Sequence, residues 1–164
     1  MMAVLKAVAK KGGWGQKDGL GRGLSAFHSF GSYTAACATV SVTDDGRLKM
    51  HKITAATDCG TVVNPQQVEA QVQGSFVYGL SAMLHGEITY KDGQPEQTNF
   101  DSYPSMRIAE MPEIETLIMP SGGFWGGVGE PTIAVAAPAV LNAIYDATGK
   151  RVRKLPIKDQ NLRT

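Results

Sequence analysis

Two kinds of apolar spacing run along the chain, and each predicts a different element. From Phe27 to Asp58 apolar positions recur at every second residue, in "YTAACATVSV" and "RLKMHKITAATD" on either side of "TDDG". Period two is the spacing of a strand with one buried face. Two hairpin registers fit. A two-residue loop at Asp45-Gly46 pairs Val42 with Lys49 and Val40 with His51. A three-residue loop, Asp44-Asp45-Gly46, pairs Val42 with Leu48 and Val40 with Met50. The second sets apolar against apolar and gives Gly46 the left-handed position such loops require, so it is the register expected. It puts Cys37 opposite Ile53 and leaves Cys59 roughly 20 Å further along at strand rise. A disulfide needs much closer approach, so two free thiols are expected.

Helical spacing takes over in "NPQQVEAQVQGSFVYGLSAML", residues 64–84. Asn64 suits an N-cap, Pro65 the first helical position, and Gln67 completes a capping-box pattern. Val68, Val72, Phe76, Gly79 and Met83 form one stripe, and Gln67, Gln71, Gly74 and Tyr78 form a second face. Glycine inside a helix costs about 1 kcal/mol against alanine. Gly74 and Gly79 therefore predict close approach by another element or by a ligand. The N-terminal "MMAVLKAVAKKGG" predicts a short helix with Val4, Leu5 and Val8 on one face and Gly12 as its C-cap. "QKDGLGRGL", residues 16–24, reads as a glycine-rich loop, because no strand precedes it and no helical period follows. Two short extended pieces are expected around Lys91-Asp92-Gly93, and a strand over 114–119. A final helix is expected to start near Pro138, since proline disrupts a helix interior, and to end at Gly149. The fold class is α+β: a mostly antiparallel sheet with helices packed on one face, in β-β-α-β-β-α order after the short N-terminal helix. One domain is expected over 1–164, with 1–24 as short helix and glycine-rich loop and 150–164 as a basic tail.

Composition narrows the function classes. With 164 residues, 43% of them apolar and 19% charged, the chain has enough apolar residues for a packed core. A net charge of +1 argues against a nucleic-acid binder. Lys150, Arg151, Arg153, Lys154, Lys158 and Arg163 cluster at the end and read as a solvated tail. No stretch predicts a membrane span, and the N-terminal apolar run is too short and too broken by lysine for a signal peptide. Neither the two cysteines nor His28, His51 and His85 show metal-ligand spacing, so no protein-ligated metal is expected. The serines sit in no nucleophile elbow.

One stretch carries chemistry. In "GGFWGGVGEP", residues 122–131, bare glycines surround Trp125 and lead to Glu130, which Pro131 follows. Gly126, Gly127 and Gly129 let backbone N–H groups face a ligand, and successive N–H groups before a helix attract anions and oxygen-rich groups. A carboxylate held there suits a general base. Local chemistry alone favours the simpler reading, an acidic residue at a helix N-terminus. Trp125 either lines a substrate funnel near Glu130 or covers the loop, and Asp58 and Cys59 read as structural.

"GGVGEPTIAVAAPAVLNAIYDATGKRVRKLP" resembles the C-terminal end of the molybdenum-binding large subunit of the xanthine dehydrogenase and aldehyde oxidase family, in its isoquinoline 1-oxidoreductase beta-subunit branch. "SFGSYTAACATVSV", "DCGTVVNPQQVEAQVQGSFVYGL" and "EITYKDGQPEQTNFDSYPSMRIAEMP" agree in the same order, so most of the chain takes part. The resemblance implies that Glu130 is the active-site base of a hydroxylase acting on aldehydes or N-heteroaromatics, with oxygen drawn from water. It implies that Gln71, in "QVQG", contacts the pterin, and that Gly127, Val128 and Gly129 bind the cofactor. That cofactor is expected to be molybdopterin, in its cytosine dinucleotide form, with molybdenum. Iron–sulfur clusters are expected on a partner chain. The family's subunit is several times longer, so the remainder of that subunit, an iron–sulfur subunit or a second copy of this chain is expected to cover exposed apolar surface. The alternative is a stand-alone binding module that keeps the scaffold without the chemistry.

Overall fold

The computed structural model describes residues 1–163. Four strands form the main sheet: β1 (Gly21–Ser29), β2 (Ser32–Val42), β3 (Leu48–Asp58) and β6 (Glu113–Ile118), in the order β1-β2-β3-β6. β1, β2 and β3 run antiparallel, and β6 joins parallel to β3. Between β3 and β6 lie helix α2 (Pro65–His85) and a two-stranded ribbon of β4 (Tyr90–Lys91) and β5 (Gln94–Pro95) around the expected turn. Helix α1 (Met2–Lys11) precedes the sheet, and helix α3 (Ile133–Thr148) follows it.

The α+β reading holds, with one refinement in the placement of helices. Alternate residues of β2 feed two separate cores. Ala36, Ala38 and Val40 pack with α2 and α3 on one face, while Ala35 and Cys37 pack with Val4 and Val8 of α1 on the other. The two long helices thus share a face, and α1 seals the opposite one.

The β2–β3 hairpin has the expected register at its tip: Val42 pairs with Leu48 and Val40 with Met50, and Gly46 sits at φ 81°. Beyond Val40 the register shifts, because His51 is an extra residue on β3. Cys37 therefore faces Thr54 rather than Ile53. A bulge keeps pairing intact while adding one residue to one strand, and no residue type marks it in advance. His51 is held there by the Ser41 hydroxyl, 2.8 Å from its Nε2. Both thiols are free and buried.

Three further expectations change. The segment read as a loop over 16–24 contains the start of β1, an edge strand whose Gly21 and Gly23 lie against the backbone of α3. Helix α3 starts at Ile133, five residues before Pro138, so the proline sits inside it. It is tolerated because Pro138 and Ala134 are both exposed, and the Ala134 carbonyl that loses its donor faces water. The end of the chain is not simply solvated. Its cations are exposed apart from the half-buried Lys150, but Ile157 and Leu162 are buried, and the N–H of Ile157 donates to Met83 O at 3.0 Å. Helix α2 begins as read, with Asn64 Oδ1 accepting from the Gln67 N–H at 3.2 Å. No helix among the described residues is long and apolar enough to cross a membrane.

Candidate functional site

The loop from Met119 to Thr132 crosses the end of the sheet where β2 begins and β3 finishes. The N–H of Gly126 donates to Cys59 O at 2.9 Å, and that of Gly127 donates to Phe30 O at 2.8 Å. The Ser32 hydroxyl donates to Gly127 O at 2.6 Å, and the Thr34 hydroxyl to Pro131 O at 3.3 Å. Asp58 works below them as a structural carboxylate, accepting from Gly60 N–H at 3.0 Å and from the Ser121 hydroxyl at 2.8 Å. Val128 turns its side chain into the main core. The glycine loop is therefore tied at both ends, and its placement follows from backbone bonds that a side chain at 126 or 127 would obstruct. A Cβ on Gly127 would stand 2.9 Å from Phe30 Cβ.

This geometry brings the predicted site residues together. Gln71, exposed on α2, reaches Gly129: its Nε2 lies 3.8 Å from where a Gly129 Cβ would be. Glu130 is the next residue and is exposed. Gly127 has already committed its N–H to Phe30. Among the described residues, no acceptor meets the N–H groups of Val128, Gly129 and Glu130. Three successive amides without a partner, beside a primary amide, are donors suited to an oxygen-rich, anionic group. On the same side of α2, a Cβ on Gly74 would meet nothing within 4 Å. Glycine there leaves open space, whereas Gly79 is pressed by Ala136 Cβ at 2.8 Å. The residues thus fit a bulky, phosphate-bearing cofactor: donors at the loop, an amide on the helix, and no side chain between them.

Aromatic and aliphatic groups rim the site. Phe30 stands 66% exposed, Trp125 65%, Val63 84% and Phe124 92%. Trp125 is therefore not buried against the loop. Phe30 holds this place at φ 50°, a conformation unusual for a bulky residue. The histidines lie elsewhere or make other contacts: His28 stacks on Tyr33 at 4.4 Å, and His85 meets Glu110 at 3.1 Å. No group of three or more His, Cys, Asp and Glu among the described residues could hold a metal ion. The hydroxyls of Ser32, Thr34, Ser75 and Thr132, all buried and all bonded at this loop, were not singled out by sequence reasoning.

Residues 6–112 match the family model of the molybdopterin cofactor-binding domain, and the chain belongs to that family. Gln71 lies within the match and Glu130 beyond it. The chain is similar to the membrane-bound aldehyde dehydrogenase [pyrroloquinoline-quinone] of Gluconacetobacter polyoxogenes, at 34% identity over 95% of this chain and 21% of that protein. It is similar to isoquinoline 1-oxidoreductase subunit beta of Brevundimonas diminuta, at 27% identity over 95% of this chain and 21% of that one. Among solved structures it resembles quinoline 2-oxidoreductase of Pseudomonas putida 86, with a TM-score of 0.67 and 26% identity over 77% of this chain and 17% of that chain. The chain thus spans 21% of the length of each of the two curated relatives.

Proposed function

We propose that the chain forms the C-terminal portion of a molybdenum hydroxylase, working with the remainder of its large subunit on aldehydes or N-heteroaromatics. The observation that carries this reading is the meeting of Gln71 with Gly129, next to Glu130, under open space at Gly74. When bound, the molybdenum–pterin group supplies two-electron oxidation with water as the oxygen source. The chain's own residues do the rest. The free amides of Val128 and Gly129 and the carboxamide of Gln71 hold and orient the cofactor, in its cytosine dinucleotide form. Gly74 and Gly129 leave room for it. The Glu130 carboxylate accepts a proton at the reacting centre, and its exposed place lets substrate and cofactor close over it. Iron–sulfur clusters on a partner chain would be the acceptor for the electrons. The apolar rim of Phe30, Val63, Phe124 and Trp125 supports a covering partner, since a cluster of exposed apolar groups marks an interaction face.

Two measurements test this. Molybdenum is measured by elemental mass spectrometry on the assembled protein from a cell that makes the cofactor. Metal stoichiometric with the chain supports the reading. Pyrroloquinoline quinone without metal, the group in the aldehyde dehydrogenase's name, overturns it. In the loaded assembly, Glu130→Gln is expected to lower kcat by about 10²–10⁴-fold, the usual scale for losing a general base, with molybdenum content unchanged. Retained turnover removes Glu130 from the base role and favours a binding module.

A further inference from the structure

A line of contacts runs along one ridge of α2 at a spacing of four residues. Gln71 meets Gly129, Ser75 meets Thr132, and Gly79 meets Ile133 and Ala136. Residues four apart share a helix face, so all three contacts are made by one surface of α2 against the loop and first turn of α3. Gly79 allows close approach, and Gln71 is the outer, exposed end. Ser75 lies between them, 3% exposed, hydrogen-bonded to a Thr132 that is 1% exposed.

Proton bookkeeping shows what this pair does. The Ser75 hydroxyl donates to Val72 O at 2.8 Å, so its single proton is spent. With that proton on Val72 O, the Thr132 hydroxyl is the donor available to Ser75. Thr132 is also the N-cap residue of α3, where a threonine hydroxyl ordinarily accepts from the helix's own N–H groups. Here it makes no cap hydrogen bond, and its backbone is helical at φ −78°, ψ −14°. Its hydroxyl faces α2 instead. A residue suited to stabilising its own helix is thus committed to a neighbouring one, and its position is two residues after Glu130.

We propose that the Ser75–Thr132 hydroxyl pair is a positioning device that sets Glu130 relative to Gln71. The pair ties the helix bearing the cofactor amide to the segment bearing the carboxylate, one turn below the point where the two meet. Ser32 and Thr34 hold the same loop from the sheet, so Ser75 is the hydroxyl tie that comes from the cofactor helix. The inference rests on the proposed role of Glu130 and Gln71, but its first readout needs neither cofactor nor turnover.

The test is amide hydrogen exchange by nuclear magnetic resonance on the full chain. Ser75→Ala alone strands the Thr132 hydroxyl in the core and risks misfolding. The double variant Ser75→Ala/Thr132→Val removes both polar groups together and is expected to be nearly neutral for the fold. In that variant the amides of Gly127 and Ile133, bonded to Phe30 O and Glu130 O, are expected to exchange about tenfold faster. Those of Ala36 and Ala55 in the sheet are expected not to change. Thr132→Ser keeps the hydroxyl and is expected to keep wild-type exchange. In the loaded assembly the double variant is expected to lose about tenfold in kcat, with KM and molybdenum content retained. Unchanged exchange at Gly127 and Ile133, equal acceleration throughout the sheet, or faster loop exchange with full kcat each overturns the proposal. If Glu130→Gln leaves turnover intact while the loop still loosens, the base assignment fails and the tie between helix and loop stands.

Discussion

Glycines crowd two stretches of this chain, 12–23 and 122–129, and they are there for opposite reasons. In the first, protein fills the space a side chain would take. A Cβ on Gly12 would lie 2.6 Å from Cys37 Sγ, one on Gly21 2.6 Å from Ala147 Cβ, and one on Gly23 2.7 Å from the Asn142 carbonyl carbon. Gly15 and Gly19 between them serve turns at φ 89° and 84°. In the second stretch Gly122 serves a turn at φ 73°, and Gly126 and Gly127 are crowded by Ser32 and Phe30. Gly123 and Gly129 differ: there an added Cβ meets only side-chain atoms, at 3.7 and 3.8 Å. Glycine by itself is therefore no sign of a ligand site. What distinguishes the two is whether the missing side chain has been replaced by the protein or by open space.

The sharpest way to break this contrast is to add one methyl group in each region. Gly23→Ala drives a Cβ into the backbone of α3, which cannot move without lifting off β1, and is expected to cost about 3 kcal/mol of stability in urea unfolding. Gly129→Ala is expected to change stability by less than about 0.5 kcal/mol and to lower molybdenum content in the assembly. Equal costs in urea would mean that the two loops do not differ in the way the geometry indicates.

A second test probes how tightly the first region is closed. Gly12 lies against Cys37, which is 1% exposed. Burial pushes its thiol up from 9.0 to about 11, with the nearby Arg22 guanidinium opposing weakly. The thiol stays neutral in the fold while the unfolded chain releases its proton sooner. The stability this contributes is complete below the unfolded value and is lost as pH rises from about 9 to about 11. The expected loss is about 2 kcal/mol over that window. Cys59 is shifted in the same direction by its own burial, so Cys37→Ala should flatten part of the slope in pH-dependent unfolding. An unaltered slope in that variant would mean that Cys37 is reached by water.

These two regions also differ in how far they could be read from sequence. The tip of the β2–β3 hairpin was legible because Asp-Asp-Gly signals its turn and the apolar alternation selects one register. The β1–β2 hairpin was not, because its two-residue loop is Phe30-Gly31, at φ 50° and 76°, where an Asn-Gly pair would have announced it. The start of β1 was hidden in the same way, since glycines required by a neighbouring helix look like loop glycines. Pro138 concealed the first turn of α3, because whether an interior proline is tolerated depends on whether the orphaned carbonyl reaches water. At the site, Glu130 and Gln71 stand in distinctive local patterns. Their convergence and the hydroxyl ties beneath them depend on how α2 and α3 cross, and serine and threonine carry no spacing of their own.

The smallest expected effect compares two glycines on one helix. Gly74 and Gly79 have the same backbone conformation and the same intrinsic cost in α2, about 1 kcal/mol against alanine. Their surroundings differ. At Gly79 an added Cβ meets Ala136 Cβ at 2.8 Å and Ile133 O at 3.1 Å, so alanine would separate α2 from α3 and lower stability. At Gly74 it meets nothing, so alanine should raise stability by about 1 kcal/mol in the unloaded chain. A sequence that forgoes this gain at a helix position with open space beside it is keeping that space for something outside the chain. Gly74→Ala should therefore stabilise the free protein in thermal unfolding and weaken its molybdenum loading. If loading is unaffected, the open face of α2 is not where the cofactor lies, and Gln71, one turn away on the same face, loses its assigned contact.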